Sequence, residues 1–465
     1  MKTESYILEP ERRIPVIEAD VFIAGAGTAG CIAAIAAARQ GADVVLVEKM
    51  PVPGGTYTNG GIGANSFYAM SRDPETAKRV VGGIPYELNQ RLLDACGGTG
   101  YIPTPDDHHH SPYRYVADHE IYKGVISEML LEAGVTVLLQ TMFCGVLMDG
   151  TRITAALIEN KDGRTAVRAK QYIDCSGDGD IARRAGVEMI PLWQDYDKVC
   201  GGPTGLVFGM AGVDTDKMVR ENPKGAVRLS HSATPYPGIT AEQYAFTQVR
   251  DPERYKEIVD LNMRAFTSMS SIHKGEMTYI NNSKGVMCDA SKAKDLSDAE
   301  MEMRIRIMKF ANALKSCVPG FEDAYISWAS TQLGIRATSS AVCDKMLSNE
   351  EIAAGARFDD EIGLYGFHDL ASEHHPECVI ADPGFYGFPY GMLLAKGCEN
   401  LFMAGRCVTT DLKAHMSTRN VPGCQVMGQG AGTAAALCAA KGCAPRELPY
   451  RELREALLKQ GVILE

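Results

Sequence analysis

Residues 19–50, ADVFIAGAGTAGCIAAIAAARQGADVVLVEKM, constrain the fold more than any other stretch. Residues 21–24 are short, apolar and β-rich, as in a buried parallel strand. Gly25, Gly27 and Gly30 follow at GxGxxG spacing, with Thr28 and Ala29 between the last two. The first glycine permits a tight turn, the second lets a pyrophosphate approach the backbone, and the third lets the helix pack closely on the sheet. Ala33, Ala34, Ala37 and Ala38 keep that helix slim, and Gly41 ends it. Residues 44–47 form a second strand, with Glu48 and Lys49 after it. The acid stands near the spacing of about 20 residues that suits ribose hydroxyls. Strand, turn, helix, strand and terminal acid together predict a dinucleotide on the helix N-terminus.

The next residues, PVPGGTYTNGGIGANS, place Gly54-Gly55 and Gly60-Gly61 directly after the acidic strand end. An NAD domain usually runs straight into its next helix. A second glycine-rich turn here is similar to flavoproteins, where this segment passes beneath the dinucleotide toward the flavin. Gly55, Thr56, Asn59 and Gly60 are therefore expected at the cofactor. No histidine lies between Gly54 and Gly63, so FAD is expected to be held non-covalently.

A chain of 465 residues has room for two or three domains. The formal charge of −11, with no basic run, argues against nucleic acid as the main partner. The N-terminus lacks a leader-like apolar run, and no stretch of about twenty apolar residues is unbroken. The expectation is a cytoplasmic protein with no membrane partner. None of the 14 cysteines forms a CxxC pair, so no metal site is expected and most are read as buried thiols. Cys424 is the candidate for a redox-active thiol near the cofactor.

Farther along, residues 118–132 predict an amphipathic helix and residues 135–139 a strand. Asp149-Gly150 and Asp162-Gly163 then signal hairpins, giving a three-stranded meander inserted in the parallel sheet. The run YIDCSGDGD at 172–180 ends a strand at the carboxyl edge, where doubly wound folds bind ligands. Ser176 and Gly177 are placed at the cofactor, and Asp178 and Asp180 either cap the next helix or line the cleft. From residue 187 to about 390, Gly/Pro loops alternate with helices. One is predicted over 297–316, with Ile305, Met308, Ala311 and Leu314 on its apolar face. No second complete GxGxxG follows a strand, so no separate NAD(P)H domain is expected.

GAGTAG with Glu48, the GGT turn, YIDCSGDGDIARRAG, LGIRATSS and NLFMAGRCVTTDLKAHMSTRNVPGCQVMGQGAGTAAAL together resemble the FAD-dependent oxidoreductase family. That family is distantly similar to succinate dehydrogenase/fumarate reductase flavoproteins. The resemblance implies an α/β fold: a Rossmann-type FAD-binding domain, doubly wound sheet plus β-meander, with an inserted α+β substrate domain. Residues 1–186 and 391–465 would form the FAD domain and 187–390 the insertion. Ala337-Thr338-Ser339-Ser340 departs from the acid–serine–arginine run of relatives, and Met416 replaces the glycine of Ala-His-Gly-Ser-x-Arg.

Catalytic candidates must return to the flavin, which performs the hydride chemistry itself. His415 is read in a loop at the carboxyl edge, as a general base. Arg336 and Arg419 are read as forks for a carboxylate. Gly405 and Arg406 hold the loop or a phosphate. A helix from Asn420, with Pro422 in its first turn, presents Gln425 and Gly428 to the cofactor. Its stripe Gly428, Gly432, Ala436 and Ala440 permits close approach to the sheet or the first helix. His368 is a candidate substrate contact. His108-His109-His110 is read as exposed loop or lid rather than metal site.

These readings predict hydride transfer between flavin N5 and a small polar substrate, foremost oxidation of a sugar, polyol or hydroxy acid. The alternatives are reduction of an unsaturated carboxylate and, because Gly-Thr-Ala-Gly-Cys is loosely similar to tRNA-uridine-modifying flavoproteins, tRNA modification. An assembly role as a flavin-binding subunit is a third. The electron acceptor is left open, and homo-oligomerisation is compatible with the sequence.

Overall fold

A computed structural model describes residues 11, 13–71, 74–103, 112–199, 202–221, 227–230, 242–247, 253, 256–257, 261, 266–282 and 285–465. The triple histidine at 108–110 lies outside them. The glycine-rich segment folds as its pattern predicts: strand β1 (Val16–Ala24), helix α1 (Thr28–Arg39) and strand β2 (Val44–Glu48). Helix α2 (His119–Glu132) is capped by the Asp118 carboxylate, which accepts from Glu120 N–H at 2.7 Å and Ile121 N–H at 3.3 Å. Strand β3 (Thr136–Leu139) follows, then the meander β4 (Met142–Asp149), β5 (Arg152–Asn160) and β6 (Gly163–Asp174).

Chain order and spatial order differ, as in a doubly wound sheet. The order is β3-β2-β1-β6-β5-β4, and β7, the segment Thr204–Ala211, belongs elsewhere. β6 is long enough to serve three neighbours: it runs parallel to β1, antiparallel to β5 and parallel to the late strand Leu401–Met403. The register Ala24↔Asp174↔Met403, with Val47↔Leu138, brings the parallel strands' carboxyl ends to one edge.

A second, antiparallel sheet holds β7, β8 (Val227–Ser230), β9 (Glu242–Thr247), β10 (Phe266–Ser271), β11 (Glu276–Asn282) and β12 (Tyr325–Ala329) in the order β8-β9-β10-β11-β7-β12. The two-residue strand Gly334–Ile335 pairs with the start of β7. The helix Ala293–Cys317 covers this sheet. Its buried stripe is Ala299, Met303, Ile307, Phe310 and Leu314, packed with Phe208, Met210, Met277 and Ile280. The sequence places Ile305 and Met308 on that face, but they are 50% and 53% exposed. Ala311 and Leu314 do lie on it, 3% and 0% exposed, and the face departs from the expected one only toward the helix start, where packing against the sheet selects Met303 and Ile307.

The sheets meet at the second glycine-rich turn. Ser330 Oγ donates to Gly60 O at 3.0 Å, and Thr331 N–H donates to Asn59 O at 2.9 Å. The helix Val421–Lys441 lies along α1. A Cβ on Gly428 would overlap the Ala29 carbonyl oxygen, and one on Gly432 the Ala33 carbonyl oxygen, so the small-residue stripe faces the first helix. No helix among the described residues is long and apolar enough to cross a membrane.

Candidate functional site

The carboxyl edge opens into a cleft lined by both glycine-rich turns, the end of β6 and the start of the helix Val421–Lys441. Its floor is almost wholly backbone. Gly25 takes φ +97°, where a Cβ would sit 2.6 Å from Cys175 O. A Cβ on Gly55 would sit 2.7 Å from Gly27 Cα, so the two glycine-rich turns touch only because both lack side chains. Thr28 and Ala29 bring the α1 N-terminus to the cleft, where its unpaired N–H groups suit phosphate. Gly30 lies behind, facing the Gly25 carbonyl oxygen, and does the packing expected of the third glycine.

Glu48 stands at the end of β2, 7% exposed. Its carboxylate accepts from Ala26 N–H at 2.8 Å and Met50 N–H at 2.9 Å. Burial raises its pKa, and these N–H groups oppose the shift. Lys49 lines the cleft beside it.

Asp174, fully buried at the end of β6, organises the opposite wall. It accepts from Ser176 N–H at 3.0 Å, Ser176 Oγ–H at 2.6 Å, Ile181 N–H at 2.8 Å and Ala182 N–H at 3.0 Å. Ser176 Oγ in turn accepts from Asp180 N–H at 2.9 Å. Asp174 and Ser176 therefore satisfy the start of the helix Asp180–Arg184. Asp180 itself is not a cleft residue and lies near Arg184 at 3.8 Å, whereas Asp178 lines the cleft. Arg406 donates to Asp178 at 2.7 Å and lies over Gly177, which has no side chain to obstruct it. Thr338 Oγ–H donates to the same Asp178 oxygen at 2.8 Å.

The third wall holds corrections. His415 lies not in a loop but in the helix Leu412–Thr418, capped by Asp411, and is 1% exposed. Its Nε2 is 2.9 Å from Arg336 O, which can only accept, so Nε2 carries the proton. Nδ1 has no hydrogen-bond partner among the described residues. Burial pulls the ring pKa down to about 3, and the ring is absent from the cleft lining. Arg336 also turns away, donating to Thr204 O beside Gly205, while the residues before it, 332–335, line the cleft. Arg419 does reach the cleft, tied to Asp369.

The helix Val421–Lys441 enters as expected, with Val421 and Cys424 at the cleft. Asn420 precedes it, but its side chain donates backward to Met416 O at 2.9 Å and Ser417 O at 3.0 Å, closing the previous helix. Gln425 is fully buried and does not line the cleft; Gly428 packs on Ala29 instead. Val421, Cys424, Gln425 and Gly428 share one face at i, i+3, i+4 and i+7, and only Val421 and Cys424, nearer the helix start, line the cleft. Asn59 is 1% exposed and contributes its backbone to the sheet contact. Burial pushes the Cys424 thiol up to about 12, so it stays protonated. His368 is fully buried, with Leu370 N–H donating to its Nδ1 at 3.2 Å and Asn349 Oδ1 3.0 Å from Nε2, a structural arrangement.

The cleft thus gathers Gly25, Gly27, Thr28, Ala29, Glu48, Lys49, Gly55, Thr56, Gly60, Ser176, Gly177, Gly405, Arg406 and Arg419 from the sequence-predicted set. Of the two acids weighed for it, Asp178 lines the cleft, and residues 332–335 are added. A bare backbone cradle, a helix N-terminus and an acid held at a strand end fit a dinucleotide. No group of three or more His, Cys, Asp or Glu among the described residues could hold a metal.

Comparison with known proteins agrees. The profile of the FAD dependent oxidoreductase family matches residues 20–457. Digeranylgeranylglycerophospholipid reductase 2 of Methanopyrus kandleri is 29% identical over 205 residues, 43% of this chain and 47% of that protein. The reductase of that name from Picrophilus torridus is 26% identical over 208 residues, 43% of this chain and 48% of that one. The chain spans about half the length of these curated relatives. Among solved structures, a geranylgeranyl bacteriochlorophyll reductase-like protein from Thermoplasma acidophilum covers 96% of this chain and 85% of its own, with TM-score 0.43 and 12% identity. p-Nitrophenol 4-monooxygenase from Pseudomonas putida covers 96% and 84%, with TM-score 0.46 and 12% identity. The match over nearly the whole chain decides the assignment: this protein is an FAD-dependent oxidoreductase and belongs to the family of that name.

Proposed function

We propose that the enzyme reduces a carbon–carbon double bond conjugated to a carboxylate in a small molecule. His415 carries the choice of direction. Oxidising a hydroxyl calls for a base poised near the working pH. His415 is enclosed, its Nε2–H is committed to a carbonyl, and its pKa of about 3 makes it a feeble base. The other cleft acids are committed too: Glu48 to two backbone N–H groups and Asp178 to Arg406.

What the cleft offers is N–H donors, on Lys49, Arg406, Arg419 and the α1 N-terminus, which suit an electron-rich acceptor rather than a departing proton. Glu48 would hold ribose hydroxyls, and the α1 N-terminus the pyrophosphate. Arg406, fixed by Asp178, would keep the wall formed by Ser176 and Gly177 against the cofactor. Bound FAD would supply the hydride to one alkene carbon, and a proton from solvent would complete the other. Arg419, oriented by Asp369, would lower the cost of negative charge building up on the substrate. Relatives matched over 43% of the chain are named reductases, which supports the direction alone.

The test is anaerobic. FAD in the holoenzyme is reduced photochemically and then mixed with crotonate, fumarate or cinnamate. We expect oxidised-flavin absorbance to return with at least one of them. If no enoate restores it, and lactate, glycerol or glucose bleaches the oxidised holoenzyme, hydroxyl oxidation replaces this reading.

A further inference from the structure

The strand Tyr113–Val116 runs beside the end of the second glycine-rich turn, with Ala117 N–H donating to Gly63 O at 2.8 Å. Side chains along a strand alternate between faces. Tyr113 packs on Tyr68, and the Tyr115 hydroxyl donates to Asn89 O at 2.8 Å, on one face. Val116 points the other way, into a cluster with Ile62, Val207, Tyr279 and Trp328 between the two sheets. Arg114 shares that face with Val116.

Arg114 is 8% exposed, yet its guanidinium forms no hydrogen bond or ion pair with any described residue, and its Nε is wholly enclosed. The other arginines near the site are accounted for: Arg406 has Asp178, Arg419 has Asp369 and Arg336 has Thr204 O. Burial lowers the Arg114 pKa to about 10, so it remains charged at neutral pH. A buried charge without a partner is costly, and such groups are normally compensated.

We propose that Arg114 is the anchor for the substrate's carboxylate, receiving it at the junction between the Gly60–Gly63 end of the turn and the antiparallel sheet. The guanidinium fork matches a carboxylate with two parallel N–H···O bonds. Ile62, Val116 and Trp328 supply apolar surface for the carbon skeleton. This assignment rests on the reading that the substrate is an acid.

The test uses the FAD-loaded enzyme and its Arg114→Met and Arg114→Lys variants. Thermal unfolding and flavin-absorbance titrations are run with crotonate, crotonamide and inorganic phosphate. Without ligand, Arg114→Met should melt at or above wild type, because it removes an uncompensated charge. Its crotonate affinity should fall at least about tenfold, about 1.4 kcal/mol. Arg114→Lys should fall between, restoring charge without the fork, and crotonamide should bind all three proteins alike.

Wild-type crotonate affinity in Arg114→Met, or no crotonate binding to wild type, overturns the assignment. Stabilisation by phosphate alone that depends on Arg114 also overturns it, in favour of a phosphoryl ligand. Crotonate binding that depends on Arg114 but leaves reduced FAD unoxidised keeps the anchor and removes the reductase reading.

Discussion

Replacing Gly428 with valine is expected to leave little folded, FAD-loaded protein. Gly428 faces the first turn of α1: a Cβ there would overlap the Ala29 carbonyl oxygen and lie 3.0 Å from its carbonyl carbon. The obstacle is backbone, so no rotamer change relieves it. Overpacking costs about 1–3 kcal/mol, occasionally more, and a valine against fixed backbone belongs at about 3 kcal/mol or above. Ala29 lines the cleft, so any retreat of α1 also deforms the floor expected to hold FAD. Gly428→Ala should show a smaller loss of the same kind. Gly124→Ala is the control: it lies inside α2 with nothing within 4 Å of its would-be Cβ. There the helix preference for alanine should add about 0.5–1 kcal/mol. Thermal unfolding with FAD content measures all three. A Gly428→Val protein with wild-type Tm and full FAD would mean that the two helices do not touch.

Asp174→Ala should cost about 3–5 kcal/mol in chemical denaturation, the range for breaking a buried charged network. Four donors converge on this carboxylate, including two N–H groups at the start of the short helix Asp180–Arg184. Alanine leaves them facing an apolar interior without a partner. Asp174→Asn should lose less, because one oxygen still accepts while the amide opposes the remaining donors. FAD affinity should fall in step, since Ser176 and Gly177 line the cleft and are set by this residue. A loss under about 1 kcal/mol for Asp174→Ala would refute the network, being no more than a typical single hydrogen bond.

The glycine turns and Glu48 are legible in the sequence because their signal is local. Strand, turn, helix and acid are joined covalently, and the spacing dictates the geometry. The meander is legible for the same reason, through Asp149-Gly150 and Asp162-Gly163. The direction of a side chain from a distant segment is not. His415 and Arg336 come from segments that do reach the cleft, yet residues 332–335 line it while neither His415 nor Arg336 does.

Asp174 is hidden by its neighbours. Three acids stand in YIDCSGDGD, and only the pairing of β6 shows which one is enclosed at the strand end. Arg114 offers less still. It reads as one charged residue in an aromatic strand, and its significance is the lack of a partner among the described residues, which no sequence displays.

The central claim is that the cleft holds FAD through backbone at the turns and through Glu48 at the end of β2. It is tested most directly by the FAD dissociation constant of Glu48→Gln apoprotein, confirmed folded and titrated by flavin fluorescence. Glutamine keeps the size and removes the charge offered to the ribose. The account predicts weaker binding by about 10- to 150-fold, corresponding to the roughly 1.5–3 kcal/mol of a hydrogen bond to a charged group. A folded Glu48→Gln protein that binds FAD as tightly as wild type would contradict it.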